Sequence, residues 1–152
     1  MDPLTEQPAK KKRKKHTLPL ERTVQHYRKA GWTVGITERW NPHVKIRQDL
    51  LGFIDAVAIR EDQPGVMALQ ACSSDFAKHL AKILEEERAG TWLEAGNRIV
   101  LIGWTKSERE GGGWMARERE ITLAEFQAHP RTARNSTVIK EAKKQRKEAV
   151  SI

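Results

Sequence analysis

The chain has one cysteine, Cys72, so an internal disulfide is excluded and a reducing cytoplasm suits it. Its five histidines, at 16, 26, 43, 79 and 129, show no zinc-ligand spacing. No apolar run outlasts that from Ile99 to Ile102, far too short to cross a bilayer, so no membrane partner is expected. The first residues lack an apolar core, so no secretory leader is expected either. Hydrophobic residues make up only 38% of 152 positions, which suits one domain with part of the chain left unpacked. Aromatic residues are few, and tryptophan dominates them, with five against one tyrosine. Trp32, Trp40, Trp92 and Trp104 are expected to fill the rim of the core. Trp104 and Trp114 flank a glycine run and are candidates to pair across a hairpin.

Acidic charge is also scarce at the two ends. Residues 1–16 hold six Lys/Arg against two acids, and residues 131–152 hold seven against two. The formal charge is +8, and residues 17–130 are close to neutral, so the basic excess belongs to the termini. Such ends attract phosphate backbones without reading sequence, and salt weakens them steeply. The run Lys10, Lys11, Lys12, Arg13, Lys14 and Lys15 repels itself and offers no apolar face. Residues 1–16 are therefore expected to be a disordered nucleic-acid-binding arm. Residues 131–152 are expected to be a basic tail, disordered or helical on a partner.

The span 17–130 reads as a folded domain of order α-β-β-β-α-β-β. Thr17 precedes a helix with Leu20, Val24 and Tyr27 on its buried stripe and Gly31 at its end. Trp32 to Trp40 reads as one strand, and the stretch from Asn41 to Leu51 as a polar, basic loop. Phe53–Arg60 and Val66–Ala71 read as two further strands. A helix capped by Ser73 or Ser74 follows, with Phe76, Leu80, Ile83 and Leu84 on one stripe and Gly90 at its end. Asn97–Trp104 reads as a central strand, Trp114–Ile121 as a polar strand at an edge or half-exposed, and Leu123–Ala128 as a short helix capped by Thr122. This order predicts an α/β (α+β) fold with a mixed sheet of four or five strands flanked by helices.

The chemistry concentrates where two predicted strands meet. A phosphodiesterase built on Mg²⁺ or Mn²⁺ needs converging oxygen ligands and a cation near the attacking water or scissile phosphate. Adjacent strands hold side chains about 4.8 Å apart, which suits Asp55 and Gln70. The Ala71 carbonyl, Glu21 on the first helix and Asp49 in the preceding loop are further candidate ligands. Lys78 and Lys82, four residues apart on the second helix, are candidates for the cation. Arg39, His43, Lys45 and Arg47 form the candidate phosphate-contacting loop. Each residue also has a plainer reading: Asp55 as a turn cap, Gln70 as a satisfied polar residue, Lys78 and Lys82 as a solvated face, Cys72 as a small buried hydrophobe.

Glu21, Gly52-Phe53-Ile54-Asp55, Gln70-Ala71-Cys72 and the helix that follows resemble the PD-(D/E)XK nuclease superfamily over roughly residues 17–106. Within it they are similar to the Holliday-junction-resolvase-like and VRR-NUC-like nucleases, and to small phage-type members. The resemblance implies a restriction-endonuclease-like fold and hydrolysis of branched or structured DNA. It also implies a bacterial or phage-infected cytoplasm, a possible homodimer, and Mg²⁺ or Mn²⁺ with no organic cofactor. For Asp55 it implies a metal ligand, and for Glu21 an accessory ligand or water-positioning acid. The acid-x-lysine pair is degenerate here, with Gln70 for the acid and Cys72 for the lysine. A catalytically inactive protein that binds DNA or a protein partner is the alternative reading.

Overall fold

The structure, a computed structural model, describes residues 17–130, 141 and 143–150. The expectations for the arm at 1–16 lie outside the described residues, as do those for most of the tail. Within the tail, residues 143–150 are helical and exposed.

The fold is mixed α/β. Its sheet has five strands in the order β1-β4-β5-β6-β7, and a separate ribbon pairs β2 with β3. In chain order the elements are α1 (Pro19–Lys29), β1 (Thr33–Ile36), β2 (Arg39–Asn41), β3 (Ile46–Gln48), β4 (Ala56–Arg60) and β5 (Gln63–Cys72). They continue with α2 (Phe76–Glu85), α3 (Glu87–Glu94), β6 (Arg98–Lys106), β7 (Trp114–Ile121) and α4 (Leu123–Ala128). β5 and β6 are parallel, and every other pair in the sheet is antiparallel. A parallel pair needs a crossover, and α2 and α3 supply it.

Helices cover both faces of the sheet. Val24 and Tyr27 of α1 pack on Val34, Ala56, Met67, Leu69 and Val100. On the other face Phe76, Ile83 and Leu93 of α2 and α3 meet Ala68, Cys72, Ile99 and Leu101. Residues of β5 thus alternate between faces with the period of two that a strand imposes, and this puts Gln70 on the α2 side. The N-terminal end of α1 is tied down twice. Glu21 accepts the Leu18 amide at 3.2 Å, and Thr23, fully buried, donates to the Pro19 carbonyl while accepting the Trp104 indole N–H at 2.9 Å.

Register places the chemistry at one end of the sheet. Ile36 opposes Ala56, Ala56 opposes Leu69, Ala71 pairs with Ile102, and Lys106 opposes Trp114. The end of β1, the start of β4, the carboxyl ends of β5 and β6 and the tip of the β6–β7 hairpin therefore share one side. The carboxyl ends of parallel strands are where α/β sheets gather ligands.

Several boundaries differ from the sequence reading. The stretch from Trp32 to Trp40 is not one strand. The amides of Thr37 and Glu38 both donate to the Asp55 carbonyl, at 2.9 and 3.0 Å, and this turns the chain out of the sheet. The expected loop after Asn41 contains β3, which pairs with β2 through Arg39–Gln48, Trp40–Arg47 and Asn41–Ile46. Phe53 lies in a turn, and β4 begins only at Ala56. The long helix is broken at Glu86, whose extended backbone caps α3 with its own carboxylate. Gly90 therefore lies inside α3 under the Phe126 ring, and it is Gly96, at φ +87°, that closes the helix. Asp75, rather than Ser73 or Ser74, precedes α2, and Leu18 rather than Thr17 precedes α1. Trp104 and Trp114 are offset by two residues across the hairpin. Trp114 instead stacks under the Arg22 guanidinium, 3.4 Å from its ring centre.

Candidate metal centre

The centre is assembled by a tight turn. Leu50 and Ile54 exchange backbone hydrogen bonds of 2.9 Å in an antiparallel bridge, with Leu51 at φ 52° and Gly52 at φ 78° closing it. Antiparallel pairing at 50 and 54 makes Asp49 and Asp55 the next cross-strand neighbours. Glu38 arrives from the third direction, because its amide is bonded to the Asp55 carbonyl. One carboxylate oxygen from each of Glu38, Asp49 and Asp55 lies within 4.8 Å of the other two. Gly52→Ala forces an L-residue into the left-handed region and is expected to cost about 1–2 kcal/mol, read as a lower midpoint of denaturant unfolding. An unchanged midpoint would show that the turn is not what holds Asp49 against Asp55.

Asp55 is 6% exposed. Its Oδ2 accepts the Gln70 amide at 2.9 Å and the Ala71 backbone N–H at 2.8 Å. Burial pushes its carboxyl from 3.8 up to about 8; the Ala71 N–H opposes the rise, and the carboxylates of Asp49 and Glu38 add to it. Gln70 is 3% exposed, and its Oε1 is buried with no hydrogen-bond partner. A buried amide oxygen left unpaired costs free energy unless something else satisfies it. The three carboxylates make a hard, all-oxygen donor set, of the kind that a hard divalent cation takes and a thiol-preferring metal does not, and Gln70 meets it through Nε2.

Lys82 completes the centre from α2, its Nζ 3.1 Å from Asp49 Oδ2. Lys78 is exposed and makes no ion pair with these acids. Cys72 is buried, its thiol pushed up mainly by that burial, and it packs in the core cluster that holds Phe76. Position 72 thus serves the core, and the cation beside Asp49 is Lys82 of α2. Glu21 does not join the three acids; it caps α1 and faces a groove that Glu38 also lines. Ala71 contributes its amide to Asp55. Arg39, His43, Lys45 and Arg47 lie on the β2–β3 ribbon, exposed, with Arg47 3.3 Å from Glu38. Sequence reasoning missed Glu38, which it had placed inside a strand. The signal was weak: an acid followed by Arg39 where the β-branched run of Thr33, Val34, Ile36 and Thr37 stops.

Comparison with family models, curated proteins and solved structures finds no match. No helix among the described residues is long and apolar enough to cross a membrane.

The raised Asp55 pKa makes stability depend on pH. The folded chain holds this proton more tightly than the unfolded chain, so the stability it confers is present below about pH 4 and is lost as pH rises towards about 8. A divalent cation competes with the proton and binds more tightly over the same range. Without metal, the melting temperature is expected to fall between about pH 5 and about pH 8.5, and Mn²⁺ to restore more of it at the upper value. Asp55→Asn is expected to flatten both responses. Parallel pH profiles for parent and variant would remove Asp55 as the source.

Proposed function

We propose that the protein is a Mg²⁺- or Mn²⁺-dependent DNA endonuclease, hydrolysing phosphodiester bonds in branched or otherwise structured DNA. The observation that carries this reading is the convergence of Glu38, Asp49 and Asp55, with the buried Gln70 carboxamide bonded to Asp55 and the Lys82 ammonium 3.1 Å from Asp49. The resemblance of Gly52–Asp55 and Gln70–Cys72 to the PD-(D/E)XK nucleases supports the same chemistry. The resolvase-like members it resembles favour a homodimer in solution.

When bound, the metal supplies Lewis acidity at the phosphate and a more acidic water. The chain's own residues do the rest. Asp55 is held by the Ala71 N–H on its Oδ2, and Asp49 and Glu38 complete the carboxylate ring. A half-turn of the Gln70 carboxamide, which keeps its shape, presents Oε1 to the ring in place of Nε2. Lys82 is placed to orient the attacking water or to counter charge building up on the phosphate, the office that a lysine at position 72 would otherwise fill. Arg39, Lys45 and Arg47 of the exposed β2–β3 ribbon, and Lys106 and Arg109 at the β6–β7 hairpin, would hold phosphates that flank the cut.

A second reading, a nuclease-like fold that binds DNA without cutting it, draws on the buried Cys72 where the superfamily carries its lysine. A cleavage panel of duplex, forked and four-way-junction DNA with Mg²⁺ or Mn²⁺ separates the two. The nuclease reading predicts nicking or resolution that depends on Asp55. No cleavage by the parent with either ion would leave the binding reading.

A further inference from the structure

The β2–β3 ribbon carries more apolar surface than its size explains. Trp40 is 60% exposed and Ile46 is 52% exposed, on strands of only three residues each. A two-stranded ribbon gains little stability by itself, and an indole left this exposed adds little through burial. The expectation that Trp40 fills the core rim is therefore not met. Between this ribbon and the start of α1 runs a groove of about 370 Å³. Leu18, Ile36 and Trp40 form its apolar wall, and Glu21, Glu38 and Arg47 its polar floor and rim. Glu38 belongs both to this groove and to the three-acid centre. Arg47 is the register partner of Trp40, so a cation stands beside the indole.

A flat aromatic face beside the Arg47 guanidinium, opening onto Glu38 of the candidate metal centre, suits a nucleobase whose own face is free. Paired bases in a continuous duplex hide that face, and only a base outside the stack reaches it. We propose that this groove binds one unpaired nucleobase against Trp40, so that the protein engages DNA where a duplex opens into a single strand. The placing of the neighbouring phosphate at the acids rests on the nuclease reading; the contact with the base does not.

The test is anisotropy binding of the full chain, without metal and at physiological ionic strength, to a labelled fork with an unpaired arm and to a blunt duplex of matched length. Trp40→Ala is expected to weaken fork binding at least about fivefold, the factor that about 1 kcal/mol of stacking represents, and to leave duplex binding within about twofold. Trp40→Phe keeps a stacking face and is expected to recover most of the loss. Because Trp40 is exposed, circular dichroism of the variants is expected to match the parent. Equal losses on fork and duplex, or no loss on either, would overturn the proposal. So would a change of oligomeric state in Trp40→Ala, which would assign the ribbon to a second copy of the chain. Cleavage lost in an Asp55 variant with fork binding indifferent to Trp40 would sink the groove and keep the nuclease. Trp40-dependent fork binding without cleavage would do the reverse.

Discussion

Replacing Asp55 with asparagine is expected to lower metal-dependent cleavage by at least about a thousandfold. Loss of a group that merely orients a metal ligand costs about 10- to 100-fold, and a carboxylate that itself holds the ion is worth more. Asparagine keeps the size of the side chain, and its carbonyl can still accept the Ala71 N–H and the Gln70 amide that now bond to Oδ2. What it removes is a charge that burial penalises, so the metal-free variant is expected to melt higher than the parent at alkaline pH. Gain of stability with loss of turnover distinguishes a ligand from a structural residue, since a structural residue would lose both. Gel-resolved cleavage at saturating Mn²⁺, beside thermal melts of the same preparations, reads both quantities. An asparagine variant that cuts at the parent's rate ends the metal assignment.

Lys82→Met is expected to reduce the cleavage rate about a hundredfold, the lower range for a group that assists proton movement or charge development in the transition state. Methionine keeps the unbranched stem and the helix propensity, so α2 is expected to persist. The variant also removes the positive charge 3.1 Å from Asp49, which leaves the three acids more negative. Divalent-ion affinity is therefore expected to stay level or tighten while turnover falls. A supporting residue of the metal centre would show the opposite, with affinity and rate lost together and the rate recovered at high metal. Lys78→Met serves as the comparison: four residues away and unpaired with the acids, it is expected to stay within about twofold of the parent.

The elements that follow from short-range periodicity were legible in the sequence. The stripe of Val24 and Tyr27, the apolar run at Ile99–Ile102 and the polar strand before Ile121 each appear where residue spacing places them. Asp55 and Gln70 were legible as neighbours because hairpin strands align by count, and the 2.9 Å bond between them follows from that alignment. Glu38 was not legible, because its position depends on two amides turning in to the Asp55 carbonyl, a contact across 17 and 18 residues that no local pattern encodes. The β2–β3 ribbon escaped for a related reason. Its strands are three residues long and mostly polar, and pairing rather than hydrophobic alternation defines them. Choosing Lys82 over Lys78 needed the contact with Asp49, 33 residues away in the chain, which no local pattern encodes.

The outermost strand, β7, is buried only at Ile121 and Trp114 is half-covered, while Arg117, Glu118, Arg119 and Glu120 run consecutively along it in alternating sign. An edge written this way resists addition of a further strand, because an incoming backbone would bring its own side chains against arginines on one face and glutamates on the other. Sheet-to-sheet extension of one copy into the next is closed off along that border. Self-association, where it occurs, is left to surfaces other than this margin.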